Sequence, residues 1–75
     1  MTKDTINQIN KAMECYNSQT YEDKKKMREY VRQQKADAKY EFDKINPYTA
    51  PEEVEFRTER FNYYDALLKE MDKTK

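Results

Sequence analysis

The sequence predicts an all-α fold: an antiparallel hairpin of two long helices joined by a short N-terminal helix into a small three-helix bundle. Its 75 residues include no glycine and only two prolines, which leaves few tight turns, because most of those need glycine at positive φ. Charged residues make up 40% of the chain, and the apolar residues recur at helical spacing, as in amphipathic helices. We expect a single domain over residues 1–75, with a marginal core unless helices pack well or subunits associate.

The first helix is predicted over about residues 5–17. Its apolar stripe recurs every three or four residues and consists of Ile6, Ile9, Met13 and Tyr16. Thr5 and Gln8, three residues apart, resemble a capping box at its start. A polar run over residues 17–20 ends the helix, and Cys15 lies opposite the stripe.

The second helix is predicted over about residues 20–45. Thr20 can cap it, and two acidic residues follow in the first turn, where the helix dipole favours them. The apolar stripe consists of Met27, Val31, Ala38, Phe42 and Ile45. Pro47 ends the helix, because proline disfavours helical geometry in the residue before it.

A loop over residues 46–50 leads into a third helix predicted over about residues 51–72. Thr49 and Glu52 resemble a second capping box, although Pro51 can shift the true cap by one residue. The apolar residues of this helix cover about half of its circumference, which is wider than the usual stripe of about 100°. Such an arc suits a helix that touches two neighbours, or one neighbour and a binding partner.

A short loop between long helices favours an antiparallel hairpin. Matching the two stripes pairs Met27 with Leu68, Val31 with Tyr64, Gln34 with Phe61, Ala38 with Arg57, and Phe42 with Val54. The first helix is only about 20 Å long, so we expect it to cover the open half of the hairpin near Tyr30, Tyr63 and Leu67. The half formed by residues 35–60 is then left as two helices.

The residue types that carry most enzyme chemistry are scarce. The chain has no histidine, no glycine, a single cysteine and a single serine, which disfavours the usual nucleophile–base pairs, phosphate loops and zinc sites. We therefore expect no enzyme activity, no metal, no cofactor and no small-molecule substrate. The lone cysteine indicates a reducing, cytoplasmic setting, and no apolar run approaches the length of a membrane span.

Four aromatic residues are the candidates for contact with another protein, since aromatic side chains are enriched at interface cores. Tyr40 lies opposite the stripe of the second helix, and Tyr48 lies in the loop. Phe56 falls in the uncovered half of the hairpin, on the same helix face as Tyr63.

A basic flank on the second helix is the alternative candidate. It consists of Lys24, Arg28, Arg32, Lys35 and Lys39. Such a stripe could follow the phosphates of a nucleic acid. We favour a different interpretation, in which Lys35 and Lys39 pair with acids such as Glu55 and Glu59 across the hairpin, while Lys25 and Glu29 support the helix.

The sequence thus predicts a non-enzymatic protein-binding module. Size and composition fit a small accessory protein of a phage or mobile element that inhibits or regulates a host protein by docking on it. The expected partners are that host protein, a second copy of the chain, or both. Two alternatives stay open: a nucleic-acid-binding protein that uses the basic flank, and a self-associating scaffold or assembly factor.

Overall fold

Three α-helices make up the computed structural model of the chain, which describes residues 2–73. They are α1 (Lys3–Asn17), α2 (Tyr21–Asp43) and α3 (Pro51–Lys73), and these residues include no strand. The all-α prediction of two long helices and a short N-terminal one is confirmed. The expected domain over residues 1–75 also includes Met1, Thr74 and Lys75, which lie outside the described residues.

The start of α1 lies earlier in the chain than the sequence suggested. The hydroxyl of Thr2 accepts a hydrogen bond from the backbone N–H of Thr5 at 3.2 Å. Thr2 is therefore the N-cap, and the proposed capping box of Thr5 with Gln8 is wrong. Thr5 could not act as a cap because it already lies in helical geometry, one turn into α1.

The cap predicted for α2 is confirmed. Thr20 accepts from the backbone N–H of Asp23 at 3.2 Å, with Glu22 and Asp23 in the first turn. The helix ends at Asp43, two residues before the predicted end, and Lys44 is its C-cap.

The loop after α2 is held by its own side chains. Asn46 accepts from the backbone N–H of Tyr48 at 2.8 Å, and Thr49 accepts from the backbone N–H of Asn46 at 3.0 Å. Because its hydroxyl is used within the loop, Thr49 does not cap α3. The first helical hydrogen bond goes to the carbonyl of Ala50, and Pro51 opens the helix, where its missing N–H costs nothing.

The central element of the fold is α3. It packs against both α2 and α1 more extensively than these two pack against each other. The molecule measures 45 × 24 × 14 Å, so its cross-section is wider in one direction than that of a triangular bundle of helices about 8–10 Å apart. The wide apolar arc of α3 is thereby explained, since the helix has a neighbour on each side. The buried core consists of Ile9, Tyr16, Val31, Leu67, Leu68 and Met71.

The hairpin register agrees with the sequence near the open end and differs toward the loop. Val31 and Tyr64 line the same cavity. Near the loop, however, Phe42 meets Phe61 edge to face, with ring centroids 5.3 Å apart, rather than Val54. Side chains lean toward the N-terminus of their own helix. Because α2 and α3 are antiparallel, these two rings lean toward each other.

Candidate functional site

An apolar cavity of about 460 Å³ lies over α3, between α1 and α2. It exists because α1 and α2 both pack on α3 but touch each other little, which leaves a groove between them above α3. Residues of all three helices line the cavity. They are Tyr63, Tyr64, Leu67 and Met71 of α3, Ala12 and Cys15 of α1, and Lys26, Met27, Tyr30 and Val31 of α2.

A second, smaller cavity continues the first toward the loop end of α3. It has a volume of about 340 Å³ and shares Tyr63 and Tyr64 with the first. Its other lining residues are Thr5, Gln8, Phe56, Glu59 and Arg60. The two cavities form one channel, which we call the α3 groove, running from Phe56 to Met71 over about 22 Å of helix.

The floor of the α3 groove follows from the sequence of α3. Phe56, Tyr63, Leu67 and Met71 are spaced by seven, four and four residues, which keeps them on one face of a helix. This face of α3 extends toward the loop, beyond the part of α3 that lies beside the start of α1. Phe56, at the loop end, is 65% exposed, whereas Leu67 and Met71 are buried. The groove is therefore deep at the open end and has a protruding phenyl ring at the other.

Its polar groups lie mainly at mid-length and in the second cavity, with Lys26 at the open end. The rings of Tyr63 and Tyr64 meet edge to face, with centroids 5.0 Å apart. Burial, aided by neighbouring Tyr64, raises the pKa of the Tyr63 phenol and keeps it protonated as a donor. The guanidinium of Arg60 lies 5.8 Å from the centre of the Tyr64 ring and donates to Gln34 at 3.3 Å. An apolar channel with a few placed donors suits recognition of a protein surface.

Only two of the four predicted contact residues belong to the α3 groove. Phe56 and Tyr63 lie in it together, in agreement with the face they were expected to share. Tyr48 is 96% exposed on the loop. Tyr40 is exposed on α2, with the Lys44 ammonium 4.1 Å from the centre of its ring. The interaction with Tyr40 raises the pKa of Lys44. Tyr40 and Tyr48 thus form no single site with the groove.

The basic flank of α2 is engaged mainly within the molecule. Arg28 donates to the Tyr16 hydroxyl at 2.6 Å, and the ammonium of Lys24 lies 5.7 Å from the centre of the same ring. Arg32 is the residue of the flank that faces outward. It makes no ion pair within residues 2–73.

The two lysines further along the flank form ion pairs, as the favoured interpretation expected, but with different acids. Lys35 pairs with Asp65 at 3.0 Å, and Lys39 pairs with Asp43 at 3.2 Å. The expected pairing with Glu55 and Glu59 is wrong, because Lys35 lies opposite a later turn of α3 and Lys39 reaches along its own helix. Nor do Lys25 and Glu29 form an ion pair among the described residues.

Cys15 and Tyr30 were missing from the predicted contact set. Cys15 lies opposite the α1 stripe, as expected, and is exposed, yet it forms part of the groove wall. Tyr30 borders the groove from α2 and is exposed. Tyr30 lies at the edge of the α2 stripe, which was the available signal, whereas the position of Cys15 opposite the α1 stripe gave none. Using the position of Tyr30 to predict the groove required knowing that α1 and α2 make little contact with each other.

Comparison with known proteins gives no further guide to the site. No family model, curated protein sequence or solved structure matches this chain. Within residues 2–73, no three histidine, cysteine or acidic residues are grouped so that they could hold a metal ion. Over the same residues, every helix is too short or too polar to cross a membrane.

Proposed function

We propose that this chain is a protein-binding module that acts by docking rather than by catalysis, and that the α3 groove is its contact surface. The observation that carries the proposal is the groove itself: about 22 Å of apolar floor with Phe56 65% exposed at one end. An exposed apolar side chain beside an apolar cavity on a small chain suits an interaction site.

The residues around the groove support this proposal. Interface cores are enriched in tyrosine, phenylalanine, methionine and arginine, and these four types are all represented in the lining. The helix that forms the floor is held on both sides by its neighbours, so the surface is preorganised, which lowers the entropic cost of binding.

The finer role we propose is that of a small accessory protein of a phage or mobile element, which inhibits or regulates a host protein by docking on it. Its support is compositional. The chain is short, and frequent lysine, asparagine and tyrosine are typical of AT-rich coding DNA in bacteria and their phages.

Affinity capture from bacterial lysate treated with nuclease tests the docking surface. The bait is compared with two variants that each replace an exposed aromatic residue by aspartate, Phe56→Asp in the groove and Tyr48→Asp in the loop. We expect a protein captured by the natural chain to be lost with Phe56→Asp and kept with Tyr48→Asp. Equal capture by all three, or loss only with Tyr48→Asp, would contradict the assignment of the groove.

A further inference from the structure

The α3 groove contains both a protruding side chain and a hollow that could receive it. Phe56 stands exposed at the loop end of the groove, and the deeper cavity of about 460 Å³ surrounds Leu67 at the other end. Eleven residues of α3, or about 16 Å, separate the two. Within one molecule the ring cannot reach that cavity, because both are fixed on the same rigid helix.

We propose that the α3 groove is covered by a second copy of this chain, with the two α3 helices antiparallel and related by a two-fold axis. This inference rests on the proposed function and names the partner. The axis passes near residues 61 and 62, midway between Phe56 and Leu67 and close to the middle of Pro51–Lys73. Each Phe56 then enters the deep cavity of the other copy, so one contact occurs twice, as two-fold interfaces require.

Charge along the groove agrees with this register. Lys26 lies beside Met71 in the deep cavity and makes no ion pair within residues 2–73. In the antiparallel register, Met71 faces residue 52 of the second copy. That residue is Glu52, in the first turn of α3, which is exposed and likewise makes no ion pair in the described chain. Lys26 and the partner's Glu52 are thus complementary at both ends of the interface.

The shape and size of the molecule suit this assembly. Its broad face of 45 × 24 Å has room for the roughly 800 Å² that each partner buries in a standard interface. A net charge of zero leaves no overall repulsion between copies.

Sedimentation equilibrium of the intact chain between about 1 µM and about 1 mM tests self-association. We expect the natural chain and Tyr48→Asp to form dimers with the same dissociation constant. Phe56→Asp should weaken the dimer at least about a hundredfold, since each dimer loses two buried rings. A monomer at every concentration, or a dimer that Phe56→Asp leaves unchanged, would overturn the inference. Circular dichroism confirms that both variants remain helical.

The register is tested by a carbodiimide, which joins a lysine amine directly to a carboxylate in contact with it. In a mixture of isotopically light and heavy chains, we expect mixed-isotope peptides that link Lys26 to Glu52, and their loss with Glu52→Gln. Within one chain Lys26 lies on α2 beside Met71, and Glu52 lies about 28 Å away, at the other end of α3. Dimers linked only through other pairs would overturn the proposed register.

The two proposals can fail separately. If the chain is monomeric and Phe56→Asp still abolishes capture of a lysate protein, the groove binds another protein and the second copy is excluded. If the chain is monomeric and the natural bait captures nothing that Phe56→Asp loses, the proposed function fails as well.

Discussion

The phenol of Tyr16 is the contact that ties α1 to α2, and its removal is the most informative test of the packing. The ring is fully buried, and Arg28 donates a hydrogen bond to its hydroxyl at 2.6 Å. In Tyr16→Phe the ring stays in place and only the hydroxyl is lost. The structure therefore predicts a loss from one interaction, with little change in apolar packing.

The expected loss is about 1.5 kcal/mol in the free energy of unfolding. Hydrogen bonds that involve a charged group contribute about 1.5–3 kcal/mol. The lower figure applies because Arg28 is half-buried and can recruit water when its acceptor is removed. For a chain of this length, such a change lowers the melting temperature by roughly 6–12 °C.

Thermal and urea unfolding followed by circular dichroism measures this loss. Tyr21→Phe is the matched control, since Tyr21 is exposed, and we expect it to change stability by less than about 0.5 kcal/mol. A double-mutant cycle with Arg28→Met isolates the contact, and the coupling energy should be about 1 kcal/mol or more. If Tyr16→Phe behaves like Tyr21→Phe, or the two changes are additive, the assigned contact between α1 and α2 is wrong.

Three further predictions concern the core, pH and nucleic acid. Leu68→Ala should lower the free energy of unfolding by about 2–5 kcal/mol because the side chain is buried. Ile6 is half-exposed, and Ile6→Ala should lower it by less than about 1 kcal/mol. Equal losses in urea titrations would contradict the assigned core. Hydrogen bonds from lysine ammonium groups lower the pKa of Asp65 in the folded chain. The Asp65 carboxylate therefore stabilises the fold above its unfolded pKa of about 4, and this stabilisation is lost as the pH falls through its folded pKa. Asp65→Asn should therefore cost up to about 1 kcal/mol near pH 7 and less as the pH falls below about 4; an equal thermal shift at pH 7 and pH 2 would count against the ion pair. Because Lys35 and Lys39 are paired internally, we expect no gel shift of DNA or RNA at low salt; a shift that the double change Lys35→Glu, Lys39→Glu abolishes would instead support the basic flank.

Periodicity predicted the elements well because each helix has a stripe that must be buried. The cap at Thr20 and the break at Pro47 follow from side-chain chemistry that acts within a few residues. The start of α1 was harder to locate, since Thr2 and Thr5 are both acceptable caps and lie one turn apart. Local sequence does not distinguish them, because either threonine can offer its hydroxyl to a backbone N–H of the first turn.

The site was predictable only where it lies on one helix. Phe56 and Tyr63 share a face through spacing alone. The walls of the α3 groove depend on how α1 and α2 are placed around α3, and no pattern within a single helix specifies this. For the same reason, Lys35 was assigned to acids about two or three turns away from Asp65, its actual partner.

The placement of three helices around the α3 groove is tested most directly with a spin label on Cys15, the only cysteine of the chain. Measured at a concentration where the chain is monomeric, amide signals of Met27, Tyr30 and Leu67 should be strongly broadened, because all three residues line the groove with Cys15. The amide of Tyr48, in the distant loop, should be unaffected. Broadening confined to α1, or equal broadening at Tyr48, would contradict the arrangement on which the proposed function depends.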